Sequence, residues 1–207
     1  MARTQNIRSE GGTIVNVNIS RWSLGSPPPS SGILLIRHGP RTSPDIPPLS
    51  AMLTPEGVEE CISCGNGLSA TPPIRIISSP VQRCVDTGNR INEGADWKID
   101  VTESETLGHP GPFVIGKINE EVNKLVSHAQ ENDDWSFLHR HVRGEDIPGM
   151  RNRTVGATNL VKELYPRDAG YILCISHDSI IAAIIAAFGL DPEPWPEPLE
   201  GCIIELR

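Results

Sequence analysis

The chain has 207 residues, with 38% apolar and 21% charged side chains and a formal charge of −8 at pH 7. That length buries one core of substantial size, and the balance of apolar to charged residues excludes fibrous and disordered classes. An acidic surface argues against nucleic acid as the main partner, since a phosphate backbone needs a basic face, and no run approaches the ~20 apolar residues of a membrane span.

Residues 1–31 hold few large apolar side chains and end in "GSPPPSSG". They read as an N-terminal extension and Pro/Ser linker ahead of a domain at 32–207. Within the extension "TIVNVNIS" alternates apolar and polar residues, which predicts a short edge strand or hairpin in a segment otherwise expected to be disordered. From Gly32 the pattern changes. "GILLI" is apolar throughout, as in a strand buried on both faces, and it runs directly into Arg37 and His38, with Arg41 three residues on.

"LTPEGVEECISC" then opens a helix, with Thr54 as its cap and Pro55 at its first position. A second buried strand, "PIRIISS", passes into "SPVQRCVDTGNRI", a helix expected to start at Pro80 behind Ser78 or Ser79 and to carry Arg83 in its first turn. Ile118, Val122, Leu125 and Val126 recur at helical spacing, as do Val155, Leu160, Val161 and Leu164 less strictly, and both groups predict covering helices. "GYILCIS" is a third buried strand; it leads through His177 and Asp178 into the helix "IIAAIIAAFG", and "GCIIELR" is a last strand. Apolar strands alternating with helices predict an α/β three-layer sandwich, a mostly parallel central sheet flanked by helices on both faces.

In open parallel sheets, ligands bind beyond the carboxyl ends of the strands. Here three strands end in Arg37–His38, in the helix bearing Arg83, and in Ser176–His177–Asp178. Guanidinium forks and helix N-termini suit phosphate oxygens. An imidazole among guanidiniums is pushed toward its neutral form, which leaves a lone pair for attack. The set fits phosphoryl transfer through a phosphohistidine. One histidine attacks phosphorus, the arginines hold the oxygens, the other histidine donates a hydrogen bond, and an acid protonates the departing alkoxide.

Together with the "LTPEG" helix start, "LLIRHG", "SSPVQRCVDT" and "ISHDS" resemble the signatures of the histidine phosphatase superfamily, the phosphoglycerate-mutase-like fold. The resemblance spans most of the chain after the linker. It implies His38 as nucleophile, His177 as the second histidine, and Arg37 and Arg83 as phosphate-binding residues. "RHGPRTSP" also matches the RHGxRxP form of the acid phosphatase branch, which would add Arg41 to the phosphate pocket. The proton donor departs from the pattern. The mutase-like branch places a Glu two residues after a Leu, whereas here Leu107–Gly108 is followed by His109, with Glu105 two residues before the Leu. In the acid phosphatase branch the donor is the Asp after the second histidine, here Asp178, a position that also suits a first-turn helix carboxylate. Asp178 and His109 stand level, with Glu105 behind. The large insert that shapes inositol-phosphate sites in phytases is missing, which argues against a phytase.

The remaining features have plainer readings. Cys61 and Cys64 form a lone CxxC inside a helical pattern, and five cysteines without framework spacing favour reduced thiols. With no secretory pattern at the N-terminus, a cytoplasmic location is expected. His128 falls on an amphipathic helix, and His139 and His141 in "FLHRHVRGED" are expected in a solvated loop ahead of the alternative that they rim the pocket. No metal-ligand spacing, P-loop or GxSxG motif is present, and a phosphohistidine mechanism needs no metal or other cofactor. The leading expectation is a metal-independent phosphoric monoester hydrolase acting on a phosphorylated small molecule or phosphoprotein. A non-catalytic phospho-ligand-binding module and, behind it, a phosphomutase are the alternatives. Specificity is expected from 109–153, with Phe113, Trp135 and Phe137 as walls. Trp195 in "PEPWPEP" either borders the site or caps the last helix.

Overall fold

A computed structural model of the chain describes residues 3–8, 14–42, 49–116 and 119–206. In chain order the elements are β1 (Arg3–Arg8), β2 (Ile14–Trp22), β3 (Gly32–Arg37), α1 (Pro55–Leu68), β4 (Arg75–Ser78), α2 (Gln82–Gly94), β5 (Val101–Glu103), a 3₁₀ turn (Glu105–Leu107), α3 (Glu120–Asn132), α4 (Ser136–Arg143), α5 (Arg153–Leu164), β6 (Tyr171–Ser176), α6 (Asp178–Ala187) and β7 (Gly201–Leu206). The seven strands form one sheet in the order β1-β2-β7-β3-β6-β4-β5. β3, β6, β4 and β5 run parallel, while β7 is antiparallel to β3, β2 to β7 and β1 to β2.

Side-chain alternation builds the three layers. Ile33 and Leu35 of β3, Ile172 and Cys174 of β6, and Ile77 of β4 pack on one face against α5, α6 and Val142 of α4. Leu34, Ile36, Leu173, Ile175 and Ile76 pack on the other against α1 and α2. Each such fully buried Leu or Ile contributes roughly 2 kcal/mol, so both faces of β3 are held. This is why its sequence shows no polar alternation. Thr54 caps α1 as expected, its hydroxyl accepting from Gly57 N at 2.9 Å, with Pro55 at the first position.

Three expectations are corrected. First, β2 is not an edge strand. It lies between β7 and β1, with which it pairs antiparallel as the hairpin alternative expects, and its Val17 and Ile19 are fully buried in the core. Second, α2 starts at Gln82 rather than Pro80. Val81, the residue after the proline, is the capping position: its backbone is extended at φ −69° and ψ 125°, and its N donates to Ser79 Oγ instead of entering the helix. Third, "FLHRHVRGED" holds a helix, α4. Phe137, His141 and Val142 bury one stripe, and Gly144 ends the helix in left-handed backbone at φ 95°. Thr13, Ser43, Pro44 and Ile118, which belonged to expected elements or motifs, lie outside the described residues.

All five cysteines are free and buried, and burial pushes the Cys61 and Cys64 thiols up to about 11 and about 12. Among the described residues no helix is long and apolar enough to cross a membrane.

Candidate active site

β3 and β6 pair in parallel register from Gly32–Tyr171 to Arg37–Ser176, so the residues that follow each strand emerge side by side. They are His38 and His177, whose ring centroids lie 5.6 Å apart at 69°. His38 N donates to Ser176 O at 3.0 Å, which continues the ladder one step past the strand. On the other side of β6, Ser79 N donates to Ile175 O at 2.9 Å and brings the Ser79 hydroxyl within 3.0 Å of His177 Nε2. The next residue but three, Arg83, lies in the first turn of α2.

Hydrogen bonding sets both tautomers. His38 Nδ1 is 2.8 Å from Gly39 O. A carbonyl only accepts, so Nδ1 carries the proton and Nε2 keeps the lone pair. His177 Nδ1 is 3.2 Å from Arg83 Nη2. A guanidinium only donates, so this Nδ1 accepts, and Nε2–H donates to Ser79 Oγ. The loop after His38 is anchored to α2 by Thr87, whose hydroxyl accepts from Gly39 N at 3.0 Å and donates to Arg83 O at 2.7 Å.

Burial, and then the Arg83 charge, depress both imidazoles, His38 to about 2 and His177 to about 4. Both rings are therefore neutral at physiological pH. The effect on stability has a definite sign. An unfolded histidine takes up its proton near pH 6.5, whereas the folded rings do not until far lower pH. Stability is thus full above pH 6.5 and is lost as pH falls toward 4 and then 2. The melting temperature is expected to drop below pH 6.5 more steeply in the wild type than in His177→Asn, measured by thermal denaturation from pH 7.5 to 4.5. Equal slopes would contradict a buried neutral His177.

Three arginines surround the pair. Arg83 is 5% exposed. Arg41 has a buried Nη1 with no hydrogen-bond partner among the described residues. Such a donor, costly to leave unsatisfied, fits an anion. Arg37, at the end of β3, turns its Nη1 to Pro196 O at 2.9 Å and its Nη2 to Asp178 Oδ2 at 3.0 Å. A cavity of about 680 Å³ opens on this cluster, and its wall includes His38, Arg41, Arg83, His109, His177 and Asp178 but not Arg37.

The acid candidates separate. Glu105 is exposed in the 3₁₀ turn and is absent from the wall. Asp178 sits in the first turn of α6, and both its oxygens already accept, one from Arg37 and one from Ser179 N at 2.7 Å. His109 is exposed on the wall, directly after Gly108. Gly108 is required there. Its φ is +147°, and a Cβ would lie 2.6 Å from the His177 ring and 2.8 Å from Ser79 Oγ.

Of the residues given plainer readings, His128 is exposed on α3 and His139 is exposed on α4, where it stacks on Trp195 with centroids 4.2 Å apart. His141 corrects the solvated-loop expectation: it is 3% exposed, lines the cavity and bonds Arg151 O through Nε2 at 2.9 Å. Phe113, Trp135 and Phe137 all lie on the wall, and so does Trp195. Sequence reasoning missed Ser79, Thr87 and Gly108 as supports of the site. The doubled serine at a strand end and the glycine beside His109 were the available signals.

The family model for the histidine phosphatase superfamily, branch 1, matches residues 33–202. A search of curated proteins found no match to the sequence. Among solved structures, the chain is similar to a mycobacterial glucosyl-3-phosphoglycerate phosphatase, at 20% identity over 76% of this chain and 78% of that one with a TM-score of 0.52. It is also similar to a phosphoglycerate mutase from Bacillus anthracis, at 15% identity over 85% of this chain and 89% of that one with a TM-score of 0.54. At such identities the likeness is one of fold.

Proposed function

The chain belongs to the histidine phosphatase superfamily, branch 1, and on that footing we propose that it hydrolyses phosphate monoesters through a phosphohistidine formed on His38. The observation that carries the reading is the His38 ring itself. Its Nδ1 proton is held on Gly39 O, which leaves Nε2 with its lone pair, and the ring lies in the field of Arg83 and Arg37 on a cavity wall shared with Arg41, whose buried Nη1 has no hydrogen-bond partner among the described residues. Nε2 attacks phosphorus as the ester P–O bond breaks, and the departing alkoxide takes a proton from an acid on the cavity wall. Water then attacks phosphorus, its proton returns to that acid, the Nε2–P bond breaks with its electron pair going back to Nε2, inorganic phosphate leaves and His38 is regenerated.

Arg83 and Arg41 neutralise the phosphoryl oxygens, so the step needs no metal. Arg37 acts from behind, fixing Asp178 and the Pro196 loop. A dianion beside His177 opposes the field that keeps this ring neutral and favours its protonated, donating form. For the acid we propose His109, because Asp178 already spends both oxygens as acceptors. His109→Ala is expected to lower kcat about 100-fold for alkyl phosphates, whose leaving groups need a proton, and much less for p-nitrophenyl phosphate. The opposite result with Asp178→Asn would move the role to Asp178. Release of inorganic phosphate from p-nitrophenyl phosphate tests the whole reading. Anion binding without turnover from pH 5 to 8 would favour a non-catalytic module, and transfer to a second hydroxyl would favour a mutase.

A further inference from the structure

The cavity is far larger than a phosphoryl group requires. An inorganic phosphate displaces only a few waters, on the order of 100 Å³, against about 680 Å³ available. The remainder must receive what the phosphate is attached to, and the wall there has a definite chemistry. Away from the histidine–arginine cluster it is built by Val122 and Val126 of α3, Trp135, Phe137 and Leu138 at α4, and Met150. Phe137 is 6% exposed and Val122 is 8%, so this wall is held by packing between α3, α4 and the Ile147 region rather than by solvated side chains.

The distribution of charge is equally uneven. Among the described residues, the only arginine or lysine side chains on the wall are Arg41 and Arg83, and both belong to the phosphate cluster. The wall also carries Asp133, Asn123 and Gln130, all three exposed. A second anionic group on a bound substrate would leave water to face apolar side chains, neutral amides and a carboxylate, with no arginine or lysine counter-charge from the described residues.

From this we infer that the substrate is a small-molecule monophosphate whose alcohol is bulky, uncharged and largely apolar, seated against the α3–α4 wall, and that carboxylated or multiply phosphorylated esters are discriminated against. The inference rests on the phosphatase reading above. It also accounts for His141, which is buried, bonded to Arg151 O and packed edge-on to Phe113 at 4.9 Å: it completes the wall with a neutral ring rather than a cation.

The test compares kcat/KM for esters of primary or similarly unreactive alcohols, so that leaving-group reactivity does not decide the outcome. The set is 2-phenylethyl phosphate, hexyl phosphate, glycerol 3-phosphate and 3-phosphoglycerate. The apolar esters are expected to exceed 3-phosphoglycerate by roughly 100-fold, with glycerol 3-phosphate between. The ratio of the phenylethyl to the hexyl ester then distinguishes an aromatic from an aliphatic natural alcohol. Val126→Lys, which places a cation on the wall, is expected to raise the 3-phosphoglycerate to 2-phenylethyl phosphate ratio roughly tenfold. Should that variant not fold, Gln130→Lys at an exposed position of the wall is expected to move the ratio the same way by roughly threefold. Turnover of 3-phosphoglycerate equal to or above that of the apolar esters would overturn the inference while leaving the phosphatase reading in place. A ratio unmoved in a folded variant would overturn the assignment of this wall. Turnover of p-nitrophenyl phosphate but of none of the four would overturn the inference alone, and turnover of none of the five would overturn the phosphatase reading and the inference with it.

Discussion

His38→Ala is expected to lower kcat for p-nitrophenyl phosphate by at least about 10⁴-fold, because it removes the atom that forms the covalent bond rather than one that assists it. The fold should survive. The substitution leaves Gly39 O without its partner, a loss of about 1 kcal/mol, while the β3 core and the His38 N to Ser176 O bond remain. A melting temperature close to wild type, measured beside the kinetics, separates loss of chemistry from loss of structure. The anion should still bind, since Arg41 and Arg83 are untouched. Retained turnover in a folded His38→Ala protein would remove the mechanism.

Arg83→Ala is expected to cost about 10³-fold in kcat, with a smaller change in KM, since its charge matters most as negative charge moves across the phosphoryl oxygens. Its role is twofold. The guanidinium donates to His177 Nδ1 and is the largest charge depressing both histidines. Arg83→Lys keeps the charge but not the planar fork, so it should recover only part of the loss. The two effects have separate readouts. In Arg83→Ala the ring of His177 should titrate at higher pH than in the wild type, followed by NMR of the imidazole protons. In Arg83→Lys it should move less. A kinetic loss with no shift in that titration would confine Arg83 to anion binding.

The parts of this molecule written locally were legible in the chain. "GILLI" reads as a strand buried on both faces because each face of β3 meets a different helical layer. The abrupt change to Arg37 and His38 marks its carboxyl end for the same reason. Thr54 and Pro55 announce α1 through capping chemistry that involves only neighbours. What was not legible depends on which elements become neighbours. The Arg37–Asp178 pair exists because β3 and β6 are adjacent in register, and that pairing changes how Asp178 reads as an acid. The alternation in "TIVNVNIS" does not decide between an edge strand and a hairpin, because its outer side is covered by β1, a neighbour the stretch itself does not specify. α4 was hidden by its own histidines and arginines. "FLHRHVR" reads as polar until Phe137, His141 and Val142 are seen to share one buried stripe.

The passage of phosphate through His38, as proposed, is open to direct measurement. The direct measurement is to react the protein with a rapidly turned-over monoester, quench in alkali, and locate the phosphate by mass spectrometry of the peptides. A phosphate is expected on the peptide carrying His38, stable to base, lost in acid and absent from His38→Ala. Steady turnover with the phosphate on another residue, or on none, would contradict it.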